Sequence, residues 1–599
     1  MSKVKYLAFL FLLMFFNCNN APNNNKDHVF LNLDFEQVYP DGNAKNWFQG
    51  GEGFSVFVDS TISYSGKRSL CIKRIGDGRF GVARSSFPVD QARGKYLKYS
   101  GYIKTKNITE GFAGLWWRVD GAHGVLNFDN MNNRGVKGTN DWEKYTIEFK
   151  IDDKATNINF GVLMPGNGTA WFDDLSIELD GKKYTQKEPE IIKLTSKQIN
   201  WLKNNVDTFS SSDPDADDKD LGFLKDMVGN ARIVSLGEET HGTHEFFNMK
   251  HRIIKYFAEK MGFNVFAIEA NMPEAQKVNN YVLNGIGNPK DVLAGLYFWT
   301  WNTREVLDML EWMRQYNASK RGRIEFWGFD MQFPNVAIKN TLYFLHRFDP
   351  PYFNEAKEKY QKITAFNDEL KKIKSKPGNI LFEPYLGYAK DVYNHLRENL
   401  DKYNSIANKD SIDWYLQNSR IVVQSIEEKM QKNQSRDESM AINVQWIVNH
   451  MPADSKIILW AHNGHVSKNE TYWQKPMGAY LNKEYGKKMV VMGFCFNNGD
   501  YTARGKNGLG VYSTSPPEPG SIEWMIHRLN YPRLFLDLRK IKKSPLSNIF
   551  NGELEFRSIG AMAMDYAFYR TIITNDFDIL IYFENTTPSE CFGLPNKQK

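Results

Sequence analysis

Residues 231–270 read ARIVSLGEETHGTHEFFNMKHRIIKYFAEKMGFNVFAIEA, and they decide the fold of the larger part of the chain. Ile233–Leu236 is an apolar run of strand length that passes into a polar loop. From Thr243 to Met261 the apolar positions recur at helical spacing, and Gly262 stands where such a helix should stop. Val265–Ile268 is a second apolar run, and Pro273 opens the next helix. Strands alternating with helices predict a mostly parallel sheet flanked by helices. RIEFWGFD (323–330), KIILWAHNGH (456–465) and KMVVMGFCF (488–496) repeat the pattern, each apolar and each ending in polar residues.

Between about Pro350 and Met451 the strand signal vanishes, and long charged segments of helical period predict an α-helical domain inserted into the α/β fold. Upstream, from 28 to 181, the texture is different. FSVFV (54–58), YLKYSGYIKT (96–105), GLWWRV (114–119), YTIEFKI (145–151), INFGVLM (158–164) and AWFDDLSIEL (170–179) alternate at period two between Gly, Asn and Asp turns. That is the pattern of an all-β antiparallel sandwich. Its closing stretch, from Trp142 to Leu179, resembles the last strands of the jelly rolls of carbohydrate-binding modules. Trp47, Trp116, Trp117, Trp142 and Trp171 are candidates to stack on sugar faces, against the plainer reading that they are core. Asp173 and Asp174 are read as a surface turn ahead of a calcium site. Residues 184–220 read as a linker and entry segment, with the aspartates of SSDPDADDKD in a solvated loop.

The chain has 599 residues, with 76 Lys plus Arg against 70 Asp plus Glu, a net +6. So small an excess leaves no electrostatic footprint for nucleic acid. Four cysteines without CxxC pairing support neither a disulfide scaffold nor a zinc-thiolate site. Residues 1–18 carry Lys3 and Lys5 before an apolar run from Tyr6 to Phe16, too short to span a bilayer but suited to a signal peptide. The position of Cys18 resembles a bacterial lipoprotein signal, with Phe15, Phe16 and Asn17 where small residues are usual. The expectation is export to the cell envelope, with the membrane reached only through a lipid on Cys18.

In open α/β sheets ligands gather at the carboxyl ends of the strands. Here those ends carry Glu238 and His241, then Glu269, then Asp330, then His462 and His465. Five of the 11 histidines, His241, His244, His251, His462 and His465, fall in two of these segments. A single such group is usually a helix cap; four ends converging on one edge predict a site. No G-x-S-x-G elbow, Walker loop or dinucleotide fingerprint occurs, and Asn248 stands where HExxH would need its second histidine. A histidine and carboxylate site that activates water remains.

LGEETHGTHEFFNMKHRIIKYFAEKMGFNVFAIEA, GFDMQ, RDESMAINVQWI, LWAHNGHV and MGAYLNKEYG, in this order from Leu221 onward, resemble the erythromycin esterase family. The resemblance implies a domain over 221–595 that hydrolyses an ester or macrolide lactone with water, without a covalent enzyme intermediate and without a cofactor. Carried over by motif, it implies Glu238, His241, Glu269, His462 and His465 as catalytic groups. Lys250, Arg252, His244, Asp330 and Arg436 are the candidates to contact substrate. Lys250 stands where the family commonly has arginine, a point charge in place of a planar fork. His241 is expected to take the proton from water, with Glu238 or Glu269 fixing its tautomer. His462, His465, Lys250 and Arg252 are expected to face the oxyanion.

Two other readings stay open. His241, Glu269, His462 and His465 have the ligand types of a Zn²⁺ or Mn²⁺ hydrolase acting on acylated glycans. The chain can also be a glycan-binding envelope lipoprotein without catalysis. Trp299, Trp301, Trp312, Phe298 and Tyr297 are candidates to line a cleft for a macrolide, again against core. Macrolide resistance and an ordinary envelope function both fit such a hydrolase.

Overall fold

Seven strands of the C-terminal unit hold their side chains alternately in two separate cores. A computed structural model describes residues 29–39, 42–121, 124–186, 191–372, 381–430, 435–470, 475–505, 508–514, 516–564 and 567–593. The chain divides into two compact units at Ile191/Ile192. In the second unit β1 (Ile233–Leu236), β2 (Phe263–Asn271), β3 (Glu325–Asp330), β4 (Lys456–Trp460), β5 (Met489–Gly505), β6 (Arg533–Asp537) and β7 (Ile579–Thr586) form one sheet in the order β6, β7, β5, β1, β4, β2, β3. β5/β1, β1/β4, β4/β2, β2/β3 and β5/β7 pair in parallel, and β6/β7 antiparallel. Ile233, Val265, Ala267, Ile457, Leu459 and Val491 enter one core, whereas Val234, Leu236, Phe266, Ile268, Ile458 and Trp460 enter the other. Both faces are therefore covered, which is why these strands read as continuous apolar runs rather than alternating ones.

α1 (His244–Met261) ends at Gly262, whose φ of 74° gives the left-handed cap that glycine supplies at little cost. α2 (Met272–Asn284) carries Pro273 in its first turn. The helices Asn335–Phe348, Pro350–Lys372, Glu383–Glu398, Lys409–Met430 and α3 (Arg436–His450) add Phe344, Tyr360, Val392, Val422 and Val444 to the first core. The helical region thus begins at Asn335, ahead of Pro350, and α3 brings its N-terminus to the sheet edge.

The segment read as linker differs from that expectation. Ser196–Lys203 is a helix with a Thr195 capping box, and Val206–Thr208 is an edge strand paired with β6. Asp213, Asp215 and Asp217 are exposed, as a solvated loop requires, and some of the aspartates also reach cations. Asp215 meets Lys255 and Asp220 meets Arg252, both on α1. Alternating charge along α1 supplied the partners, a long-range pairing that composition does not reveal.

In the first unit the strand Tyr96–Gly121 takes part in two layers. Its first half pairs with Thr169–Leu179 and Val136–Lys150, its second with Asn157–Met164 and Gly124–Asp129, all antiparallel. Trp47, Trp116 and Trp117 are core, Trp117 lying 5.0 Å from Phe160, and Trp171 is buried with its indole N–H on Asp59. Trp142 alone of the five stays half-buried at the surface. Asp173 is fully buried and accepts the backbone N–H groups of Tyr64 and Ser65, an anchor for that loop rather than an exposed turn. The signal-like segment and Cys18 lie outside the described residues. Among the described residues, no helix is long and apolar enough to cross a membrane.

Candidate active site

Glu238 follows β1 after one residue, Gly237, and is fully buried, so its carboxylate needs partners, and it has three. His241 Nδ1 lies 2.5 Å from Oε1, and Lys250 Nζ and Trp460 Nε1 donate to Oε2 at 2.5 and 2.8 Å. A ring nitrogen that close to a carboxylate oxygen carries a proton, so Nε2 is the nitrogen that accepts one whenever the ring is neutral. Gly242 permits the tight loop: a Cβ there would meet the Thr502 carbonyl oxygen at 1.9 Å.

Lys250 projects from α1 into the apolar interior, 4.3 Å from the Trp460 ring centroid. Burial pulls it down to about 8 despite the opposing pull of Glu238. It is therefore a lock on Glu238 and has no exposed surface to offer a substrate.

The second carboxylate, Glu269 at the end of β2, accepts Arg436 Nη2 at 2.7 Å and the His462 backbone N–H at 3.0 Å, with His465 Nε2 at 3.4 Å. Burial alone would raise its pKa, but the charges of His465, Arg436 and His241 outweigh it and hold the carboxyl well below the usual range. Arg436 also grips Asp330, donating through Nε at 3.2 Å and Nη2 at 2.8 Å. One guanidinium thus ties the ends of β2 and β3 together. His465 is held by Asp437, Nδ1 to Oδ1 at 2.8 Å.

His462 differs from the expectation of an oxyanion donor. Its Nδ1 accepts the Gly464 N–H at 3.1 Å, and its Nε2 reaches the Glu239 carbonyl at 3.2 Å. Burial and repulsion from His241 and His465 pull it down to about 3, so it is neutral with both nitrogens engaged. Its ring packs 5.1 Å from that of His241.

The model of the erythromycin esterase family matches residues 258–586. The chain belongs to that family. Erythromycin esterase type II of Escherichia coli is 24% identical over 427 residues, covering 65% of this chain and 98% of that one. YbfO of Bacillus subtilis (strain 168) is 24% identical over 422 residues, covering 65% and 91%. A solved structure of a Bacillus cereus protein is 28% identical with a TM-score of 0.59, covering 67% of this chain and all of that one. Membership supports a hydrolase or esterase built on this sheet.

In this family member the remaining candidates are distributed as follows. Arg252 faces away from the cluster: Nη1 donates to the Ser211 carbonyl at 2.6 Å, and Nη2 to the Asp217 carbonyl and to Asp220. His244 sits 2.6 Å from Glu305 and bonds Asn248, a rim pair rather than part of the central cluster. The Glu305 hydrogen bond raises its pKa against the effect of burial. Trp301 is core, edge-on to His241 and donating to the Glu269 carbonyl, and Trp312 is partly buried, stacked on Tyr316 against the same core. Asp437, Trp460 and the segment Ile559–Gly560, whose N–H groups bind the Glu239 carbonyl, escaped the sequence reading. Asp437 stands inside the quoted RDES motif, and its adjacency to Arg436 was the available signal. Among the described residues, no three His, Cys, Asp or Glu groups are arranged to hold a metal ion. The donor chemistry agrees, since His465 Nε2 faces the Arg436 guanidinium at 3.0 Å and His462 has no free nitrogen.

Proposed function

We propose that the site hydrolyses a carboxylic ester, macrolide lactones included, by direct attack of a water that His241 deprotonates. The observation that carries this reading is the 2.5 Å contact of His241 Nδ1 with Glu238, itself locked by Lys250 and Trp460. That contact leaves Nε2 as the acceptor and stabilises the imidazolium as it forms. Arg436 and His465, beside Glu269, supply positive charge for the oxyanion. A positioned base contributes on the order of 10²–10⁴-fold, and one oxyanion donor about 10²–10³-fold.

A bulky apolar substrate is supported by the rim. Phe298 and Phe333 lie 5.5 Å apart, and Tyr297, 63% exposed at a φ of 66°, joins them at 6.2 Å. An exposed aromatic in a left-handed backbone conformation is costly, which motivates a role in recognition. Phe333 follows Gln332, whose amide binds Asp330. The test is mass spectrometry of erythromycin and of acylated sugars incubated with the full chain and with His241→Ala. Addition of one water by the wild type only is the expected result; equal turnover by the variant would remove His241 from the chemistry. A role in resistance then predicts higher erythromycin tolerance of a host expressing the wild type alone.

A second reading concerns the first unit. Tyr64, 43% exposed, stacks on Tyr102 at 3.6 Å with Trp142 edge-on at 6.0 Å, a platform suited to sugar rings. Slower migration through soluble polysaccharide, lost in Tyr64→Ala, tests it. Envelope anchoring through Cys18 is tested by incorporation of labelled fatty acid into wild type and Cys18→Ser.

A further inference from the structure

We infer that Arg557 is a positioning residue for the reaction: it anchors a strap, Ile559–Gly560, that fixes the Glu239 carbonyl against His462 and offers its own carbonyl to His241, and so sets how the two rings face each other. What that placement does for turnover rests on the ester-hydrolysis reading; the placement itself rests on contacts alone.

The carbonyl of Glu239 collects three donors. The Ile559 N–H reaches it at 2.9 Å, the Gly560 N–H at 3.2 Å and His462 Nε2 at 3.2 Å. A carbonyl oxygen only accepts, and the Gly464 N–H on Nδ1 only donates, so His462 is held with its proton on Nε2. The return contact is the His241 N–H, which donates to the Gly560 carbonyl at 3.2 Å, and Thr240 and Gly560 form a parallel bridge. Gly560 has a φ of 69°, and a Cβ there would stand 3.8 Å from His462 Nε2, so the strap runs directly against that ring. His462 in turn packs 5.1 Å from the His241 ring and donates its backbone N–H to Glu269. A displaced strap therefore moves the base and its neighbour together.

Arg557, 1% exposed, stands two residues ahead of the strap. Its Nη1 donates to the carbonyls of Phe496 and Asn497 at 3.0 and 3.1 Å, and its Nη2 to that of Asn497 at 3.2 Å. The rings of Phe496 and Phe568 lie 4.8 and 4.9 Å from the guanidinium. Two consecutive carbonyls of β5 thereby hold the side chain, while the backbone N–H of Arg557 donates to Glu523 at 2.8 Å. Glu239 closes the circuit. Its Oε2 accepts the Phe496 N–H at 2.9 Å and its Oε1 lies 3.7 Å from Arg557 Nε. One residue thus faces Arg557 with its carboxylate and His462 with its carbonyl. A lysine reproduces the charge of such a guanidinium but not the planar fork that meets two carbonyls at once.

Arg557→Lys is for that reason the discriminating variant. With 4-nitrophenyl butyrate and the full chain, kcat should fall on the order of 10-fold in Arg557→Lys and on the order of 10²-fold in Arg557→Met, with KM within about 2-fold of wild type, because a base misplaced by about 1 Å loses rate and not binding. Arg252→Ala is the control for lost stability, since it removes a buried guanidinium that holds a different loop of the same unit. Nitrogen-15 NMR of the imidazoles gives a readout independent of turnover: His462 should carry its proton on Nε2 in the wild type, and in Arg557→Lys its two nitrogen shifts should draw together as both tautomers are sampled. Glu239→Gln keeps an acceptor for the Phe496 N–H and loses the charge facing Arg557, so it should move the same signals in the same direction, and it decides the matter if neither arginine variant folds. A kcat in Arg557→Lys no lower than that of Arg252→Ala, or His462 signals identical to wild type in every variant that folds, overturns the positioning role. A wild type that cleaves neither this ester nor erythromycin, with the His462 shifts still moved by the variants, removes the hydrolysis reading and leaves Arg557 its hold on His462.

Discussion

Lys250 Nζ lies 2.5 Å from Glu238 Oε2, and both side chains are fully buried. The cation that the sequence pattern offers as a substrate contact therefore acts on His241 at one remove, through the carboxylate they share. A buried ion pair of this kind adds little net stability compared with apolar packing, but removing one partner leaves the other charge stranded.

Lys250→Met should accordingly lower unfolding stability by about 3–5 kcal/mol. It should also depress kcat, because an uncompensated Glu238 becomes protonated and no longer holds the His241 tautomer. Replacing the pair together, with Glu238→Leu added, should recover much of the stability and none of the activity. Urea titrations of the second unit and ester turnover on the same samples separate the two effects. Full activity in the single variant would detach Lys250 from the chemistry.

Arg252 predicts the reverse pattern. Its guanidinium closes the 211–220 loop onto α1 through Ser211, Asp217 and Asp220, and the residue is 2% exposed. Arg252→Ala should cost about 2–4 kcal/mol through lost charge-assisted hydrogen bonds. Its kcat/KM, measured well below the melting temperature, should stay at the wild-type value. A selective rise in KM without loss of stability would return Arg252 to the substrate.

Chelation gives a third expectation. His462 has both nitrogens in hydrogen bonds, His465 Nε2 faces the Arg436 guanidinium at 3.0 Å, and Glu269 is taken by Arg436 and the His462 N–H, so the four residues with ligand chemistry present no shared vacant donors. Prolonged dialysis against EDTA should leave turnover unchanged. Loss of activity that Zn²⁺ or Mn²⁺ restores would favour metal-assisted hydrolysis instead.

The sheet and its site edge were readable because both depend on local pattern. Ile233–Leu236, Val265–Ile268 and Ile457–Trp460 are apolar on both faces, and the groups that follow each run had to meet at one edge once the strands lay parallel. What each group does there depended on side chains brought from afar. Trp460 reaches Glu238 across 222 positions, and Arg436 reaches Glu269 across 167. No spacing rule announces such contacts, so Lys250 read as a free cation and His462 as a free donor. The acidic stretch before Leu221 was opaque for the same reason: its partners Arg252 and Lys255 lie on a helix whose outward face the sequence alone does not fix.

The pH dependence of stability supplies a last prediction, from a histidine outside the site. His251 on α1 is 4% exposed, both ring nitrogens lack a hydrogen-bond partner, and burial together with Lys255 pulls it down to about 3. In the unfolded chain it titrates near 6.5. Between those values the unfolded state holds one proton more than the folded state, so stability is fully present above pH 6.5 and falls as pH drops toward 3. The linked loss is roughly 4 kcal/mol over that window. His462, displaced in the same direction, imposes a similar slope. His251→Phe keeps a ring against Trp312, 5.6 Å away, removes two unsatisfied polar atoms and removes one of the two protons. The variant should be at least as stable as wild type at pH 7 and should lose distinctly less stability by pH 5, with ester turnover unchanged because His251 touches no group of the cluster. Urea unfolding at the two pH values measures it, and an unaltered pH slope would mean that His251 is already hydrated or charged in the folded protein.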